Sequence, residues 1–255
     1  MSNFMKYNYL ASLLIFAAGV SLLFTSCLKE DSKCITQVGK PMYEEREVNG
    51  NFDSIYLDGD VNLHLTQDDK LRIYLHAGEK LLPGITTIQK GRTLRITDEN
   101  KCDFLRDMGT PIDIYVTLNQ LRYLNFRSSG TIQSSTPIIS DSLTLECWGG
   151  GGSIKLEIDV MHCWIFQHGG NVDFAISGKA DYNYIYWNSS YSPVDCSNLL
   201  TGYTYIIHKG ANDATINVQN VLQAEIHSIG NIIYQGHPSE ITIRSFGKGE
   251  LIKKQ

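Results

Sequence analysis

From Phe52 onward, apolar and polar residues alternate along the chain. Phe52, Ile55 and Leu57, then Val61, Leu63 and Leu65 in GDVNLHLTQ, keep a period close to two, the spacing that puts one side of a strand in a core and the other in solvent. LRIYLHA (Leu71 to Ala77), TLRIT (Thr93 to Thr97) and IDIYVTL (Ile112 to Leu118) repeat it, separated by turn-forming Gly, Asp, Asn or Pro. Between Asp98 and Pro111 the segment DENKCDFLRDMGTP breaks the pattern and predicts an irregular loop or one short helical turn. No long amphipathic helix is predicted after the first apolar run.

From about Leu121 the chain becomes quasi-periodic, with a strand, a Gly/Ser/Asn turn and another strand at intervals of about twenty residues. The punctuation reads Ser128-Ser129-Gly130, Gly149 to Ser153, His168-Gly169-Gly170-Asn171, Asn188-Ser189-Ser190, Lys209-Gly210-Ala211-Asn212, Ser228-Ile229-Gly230-Asn231 and Ser245-Phe246-Gly247-Lys248. With Asn171, Asn212 and Asn231 in register, Trp164 and Phe166, Tyr205 and Ile207, and Ala224 and Ile226 fall at equivalent positions and are expected to stack into one core column. A unit of two short strands cannot bury its apolar side alone, so neighbouring units must stack as a solenoid. The fold class expected is all-β, a parallel β-helix. A β-sandwich or barrel also uses short strands and Gly-rich turns, but Greek-key connections vary in length, whereas these turns recur at nearly constant interval.

The start of the chain has a different character. Lys6 precedes Leu10 to Phe24 (LASLLIFAAGVSLLF), a run suited to a secretory signal core and shorter than the roughly twenty residues that span a bilayer. Thr25, Ser26 and Cys27 follow and resemble a bacterial lipobox, which makes Cys27 the expected lipidation site. CLKED (Cys27 to Asp31) resembles the Cys-x-Lys-acidic-acidic signal that sends Bacteroidetes lipoproteins to the cell surface. Residues 1–27 therefore read as a lipoprotein signal ending at the lipidated cysteine, 28–42 as a flexible tether and 43–255 as the β-solenoid domain.

With these strands laid out, the segment from Glu45 to Thr97 resembles the opening of the family named putative auto-transporter adhesin, head GIN domain. The likeness runs from Val48, Phe52 and Ile55 through Gly59 to the TLRI strand, and continues in IDIYVTLNQLRYLNFRSSG (Ile112 to Gly130) and the Gly-punctuated repeats. It covers about Tyr43 to Lys253. The resemblance implies a right-handed β-helical domain on secreted or lipid-anchored proteins, adhesion as the role, and no catalytic residue. WGGGGS (Trp148 to Ser153) and WNSSYSP (Trp187 to Pro193) depart from the usual Ser-Gly-Ser-Gly turn spelling.

Charge and composition narrow the chemistry. A net charge of −5 gives no basic footprint for nucleic acid. After Cys27, the cysteines are Cys34, Cys102, Cys147, Cys163 and Cys196, without CxxC or zinc-like spacing. Cys147, Cys163 and Cys196 lie in apolar strand patterns and read as buried thiols, while Cys34 and Cys102 could pair. The glycines Gly149 to Gly152 lead into a strand, Ser153-Ile154-Lys155-Leu156, and not into the helix that a phosphate-binding loop requires. His162, His168, His208, His227 and His237 read as surface turn histidines. Asp58, Asp60, Asp68 and Asp69 read as solvated turn residues without a calcium-loop signature.

The stretch DYNYIYWNSSY (Asp181 to Tyr191) stands out for binding. Tyr182, Tyr184 and Tyr186 share one side of a strand, and Ile185 and Trp187 the other. Tyr182, Tyr184, Tyr186, Trp187 and Tyr191 are the candidate ligand-stacking aromatics, suited to sugar rings or a partner protein. No catalytic residue, cofactor or metal site is expected. The sequence thus describes an exported, lipid-anchored envelope protein, an outer-membrane lipoprotein facing the cell surface or the periplasm. Its expected partners are the membrane through the anchor, and a glycan or a host or cell-surface protein. The alternatives are a glycan-active lyase or hydrolase on the same scaffold, or a structural envelope component.

Overall fold

The computed structural model describes residues 37–101, 111–188 and 191–254. Their 17 strands form one sheet wound into a parallel β-helix of about six turns. One side stacks β6 (Thr93–Asp98), β2 (Ser54–Gly59), β8 (Tyr123–Ser128), the later halves of β10 (Ile138–Gly150), β11 (Ser153–Gln167), β12 (Asp173–Trp187), β13 (Val194–His208) and β14 (Ala214–Ile226), then β16 (Glu240–Ser245), all parallel. Another side stacks β7 (Asp113–Leu118), β3 (Asn62–Gln67), β9 (Thr131–Ser134), the early halves of β11 to β14, β15 (Ile232–Gln235) and β17 (Leu251–Lys253).

Antiparallel pairing is confined to the N-terminal end, where β1 (Pro41–Arg46) pairs with β4 (Arg72–Gly78), β4 with β7, and β5 (Ile85–Lys90) with β6. The repetitive part is therefore a stack of coils and not a hairpin sandwich. Val38 is buried and β1 begins at Pro41, so the last residues of the segment expected to be tether belong to the folded body.

Long strands turn corners by slipping the alternation. In β11 the buried side chains Ile154, Leu156, Ile158 and Val160 are two apart, then Cys163 follows three later, after the exposed pair Met161-His162. Ala180 to Asn183 and Thr201 to Thr204 repeat the slip of three in the next two coils. Extra residues of this kind bend a strand and change the side its later side chains face. The consequence reverses one expectation. Trp164, Phe166, Tyr205 and Ile207 do stack on equivalent positions, but on the outside, while Cys163, Ile165 and Gln167 point in. Ala224 and Ile226 are buried because the turn before Asn231 is one residue longer than those before Asn171 and Asn212.

The inward column at the end of this side is partly polar. Cys147, Gln167, Trp187 and His208 lie one above another, and each donates to a carbonyl of its own turn. Cys147 Sγ reaches Gly149 O at 3.3 Å, Gln167 Nε2 reaches Gly169 O at 2.9 Å, Trp187 Nε1 reaches Ser192 O at 3.1 Å and His208 Nε2 reaches Asn212 O at 2.8 Å. Turn carbonyls that face a core need such donors, because an unpaired buried acceptor costs about 1–3 kcal/mol. His208 is thus a core residue with 0 % exposure, contrary to the expectation of a surface turn histidine. Close coil contact also fixes Gly150 and Gly152 of the 149–152 run. A Cβ on Gly152 would lie 1.8 Å from Gly130 O, and Gly150 has φ +112°.

The three thiols in the apolar pattern are free and buried. Burial pushes Cys163 up to about 12 and Cys147 up to about 11, which keeps both as small hydrophobic groups. Cys27, Cys34, Cys102 and residues 102–110 of the broken-pattern segment lie outside the described residues.

Trp187→Ala is expected to lower unfolding free energy by about 3–5 kcal/mol through a cavity in the column, against a change within about 0.5 kcal/mol for Tyr191→Ala, both read by chemical denaturation. Burial lowers the His208 pKa below its ordinary 6.5, outweighing the Asn212 bond and nearby Asp213. The unfolded chain therefore binds a proton that the folded chain resists, and stability falls as pH drops below about 6.5. The melting temperature of His208→Gln, which keeps a donor as at Gln167, should change less between pH 7 and pH 5 than that of the parent.

Candidate functional site

Outward residues on β11, β12 and β13 form three aromatic rows across the strands. His162, Tyr182 and Tyr203 align, then Trp164, Tyr184 and Tyr205, then Phe166, Tyr186 and Ile207. In-register parallel strands lie about 4.8 Å apart, a spacing that lets rings on adjacent coils touch. Tyr182 and Tyr203 stack with centroids 4.9 Å apart, and Tyr184 meets Tyr205 edge-on at 5.4 Å. Phe166 contacts Tyr184 at 5.5 Å, and His168 contacts Tyr186 at 5.7 Å. Trp148 extends the surface by stacking on His168 at 4.0 Å and is 50 % exposed. Lys209 Nζ lies 5.0 Å from the Tyr186 centroid, in cation–π range.

Each edge of this face carries a carboxylate held in a hydrogen-bond cluster. At the β10 edge, Glu146 accepts from Tyr123 Oη, from Asn125 Nδ2 at 3.3 Å and pairs with His168 Nε2 at 3.0 Å. Burial alone would raise its pKa, but the bonds from Tyr123, His168 and Asn125 outweigh that and hold it below the ordinary 4.5. At the β14 edge, Glu225 pairs with His227 Nε2 at 3.1 Å, with Tyr205 Oη at 3.0 Å and with Arg244 at 3.3 Å. The His227 bond leads the causes that lower its pKa.

Glu146 and Glu225 align through Phe166, Tyr186 and Ile207. Four strand spacings separate them, about 19 Å. Glycoside hydrolysis uses two carboxyl groups about 5–10 Å apart, one of them kept protonated. Here both are ionised and far apart, so they serve as a polar rim. A separate furrow of about 470 Å³ follows a corner lined by Asp141, Asp159, Asp181, Met161 and Lys179, with Lys179 on Asp159 at 3.0 Å. The Asp141 side chain there is 73 % exposed and that of Asp159 46 %. Among the described residues no group of three His, Cys, Asp or Glu is arranged to hold a metal ion.

The structure brings Tyr182, Tyr184 and Tyr186 together on the outward side, half-buried by their neighbours. Trp187 has to be withdrawn from the ligand-stacking set. It is 0 % exposed because it faces the core with Ile185, and its ring packs edge-on against Phe174 at 5.0 Å. Tyr191 lies in the turn beyond β12, 76 % exposed and outside the aromatic rows. Tyr203 and Tyr205, one unit after the DYNYIYW stretch in the sequence, stand beside it on this surface, while Trp164 and Phe166, expected in the core column, and His162 join it from the preceding coil. His162 and His227 are exposed, as expected of surface histidines, and so is His237. Asp60, Asp68 and Asp69 are exposed in their turns, and Asp58 is exposed near the end of β2.

The sequence profile of the family described as putative auto-transporter adhesin, head GIN domain, matches residues 51–238. Among solved structures, a putative adhesin from Bacteroides fragilis superposes with TM-score 0.75 at 18% identity, covering 84% of this chain and 97% of its own. A putative lipid binding protein from Parabacteroides distasonis gives 0.67 at 20% identity, with 85% and 98% covered. A putative adhesin from Parabacteroides merdae gives 0.58 at 17% identity, with 85% and 97% covered. At these identities the likeness establishes the fold. No match was found among curated proteins.

Glu146→Gln should destabilise the protein at pH 7. A carboxylate whose folded pKa is depressed contributes stability above its unfolded pKa, and that contribution disappears as pH falls through the folded value. The melting-temperature gap between parent and variant should therefore narrow on acidification below about pH 4.5.

Proposed function

Because the chain belongs to the putative auto-transporter adhesin, head GIN domain family, we propose that it is a non-catalytic adhesion module of the cell envelope that binds glycans through the aromatic face of β11 to β13. The observation that carries this reading is the set of three in-register rows, His162/Tyr182/Tyr203, Trp164/Tyr184/Tyr205 and Phe166/Tyr186/Ile207, on a flat side of the solenoid. Aromatic rings offer apolar faces to the C–H side of sugars, and tyrosine hydroxyls add hydrogen-bonding groups at the same surface. The rigid sheet holds these side chains in place before a ligand arrives, which limits the entropy lost on binding. Glu146 with His168 and Glu225 with Arg244 supply polar contacts at the rim.

In this reading residues 1–27 direct export, and a lipid on Cys27 anchors the protein to the outer membrane with the solenoid facing outward. Each buried methylene of a lipid chain contributes about 0.8 kcal/mol, so several acyl chains on one cysteine give firm attachment. The CLKED sequence after the lipobox supports export to the outer leaflet.

A glycan array probed with the protein, together with protease treatment of intact cells, tests the proposal. The parent should be retained on a subset of glycans and be cleaved on whole cells. Tyr182→Ala/Tyr184→Ala/Tyr186→Ala should weaken retention at least tenfold, equivalent to about 1.4 kcal/mol. Cys27→Ser should move the protein out of the membrane fraction. Protection on whole cells with no glycan retained would remove the basis for glycan adhesion, and membrane retention of the Cys27 variant would remove the lipid anchor.

A further inference from the structure

The two ends of the solenoid are finished differently. At the N-terminal end β5 folds back on β6, and Leu81, Leu82 and Ile85 are buried there. At the other end, among the described residues, β16 has one strand partner, β14. Ile241 and Ile243 continue the inward columns above Leu222 and Ala224, yet they are 41 % and 45 % exposed where those below are buried. Phe246, just beyond β16, is 66 % exposed while stacking on His227, and Ile252 on β17, in the other stack of strands, is 39 % exposed. Terminal units of solenoids ordinarily carry a polar cap, and a bare apolar edge strand is a template for pairing.

The backbone of β16 is directed accordingly. Phe246 N donates to Ile226 O at 2.7 Å, so by strand alternation Arg244 and Thr242 also turn their backbone groups towards β14. Ile241 and Ile243 turn theirs outward, beyond the end of the stack.

The side-chain order of β16, Glu240-Ile241-Thr242-Ile243-Arg244, is self-complementary when run against itself. We propose that the open end closes on a second copy of this chain, with β16 pairing antiparallel to its equivalent about a two-fold axis through Thr242. Ile241 then lies opposite Ile243 in the hydrogen-bonded pairs, Thr242 opposite Thr242, and Glu240 opposite Arg244 on the outer side. The two-fold runs perpendicular to the sheet, so inward side chains stay inward and the two cores meet end to end. Sliding the register by one residue would set inward against outward positions, and sliding it by two would part Glu240 from Arg244. Arg244 already bonds Glu225 at 3.3 Å, but its side chain is 68 % exposed and a guanidinium has five N–H donors. Such an isologous contact is self-limiting and gives a dimer, not a filament.

The test uses the full chain solubilised in detergent. In the proposed register the two Thr242 Cα atoms form a non-hydrogen-bonded pair about 4.5 Å apart, within disulfide reach. Mild oxidation of Thr242→Cys should give a disulfide-linked dimer that the parent and Thr144→Cys, on the same face in β10, do not give. Adding Glu240→Arg or Arg244→Glu alone should cut the cross-linked yield at least tenfold, and adding both should restore it. Absence of the cross-link in Thr242→Cys overturns the proposal. So does a double charge variant that melts with the parent and still fails to recover the dimer.

Discussion

Parallel stacking of nearly equal coils is the constraint on which the other features of this protein depend. In such a stack each side chain sits directly above the one about twenty residues earlier. Most inward positions are therefore apolar or donate a hydrogen bond to a nearby carbonyl, with Asn183 the exception, a buried side-chain amide without a partner among the described residues. The column Ile165, Ile185, Ile206 and Ala224 meets the first condition. Gln167, Trp187 and His208 meet the second by donating to the turns they close. The same stacking gathers outward aromatics from distant parts of the sequence into rows.

The outward aromatic face follows from where the corners fall. A slip of three at Val160–Cys163, Ala180–Asn183 and Thr201–Thr204 sets which parity faces out in the following strand. Had the slip been two, Trp164, Tyr184 and Tyr205 would point into the core and Ile165, Ile185 and Ile206 would face outward. The face is therefore a product of corner geometry as much as of aromatic content. Its rim carboxylates Glu146 and Glu225 are each held below the ordinary carboxylate pKa by hydrogen-bond donors.

Much of the architecture was legible in the alternation and the turn spacing. The solenoid follows from the turn spacing, and the inward thiols and the shared side of Tyr182, Tyr184 and Tyr186 follow from period two, because parity survives within a straight strand. Parity alone does not say that this side faces out. The corners were not legible. In VMHCWIF (Val160 to Phe166) every residue but His162 is apolar, so nothing in the composition marks the slip at Met161-His162, and Trp164 and Phe166 read as core. Turn asparagines were an unreliable ruler, since the turn before Asn231 is longer by one residue. The burial of His208 was readable in principle, because it shares parity with the buried Ile206 in the same strand. Turn composition hid it, since a histidine beside Lys and Gly resembles a surface residue.

Acrylamide quenching of single-tryptophan variants tests the placement of the corners most directly, because Trp148, Trp164 and Trp187 are the three tryptophans. Retaining Trp164 alone should leave an emission that quenches readily, and retaining Trp187 alone should leave one that is shielded until the protein unfolds. A shielded Trp164 with an accessible Trp187 would contradict the account, since it would turn the aromatic rows into the core and leave the outer face without them.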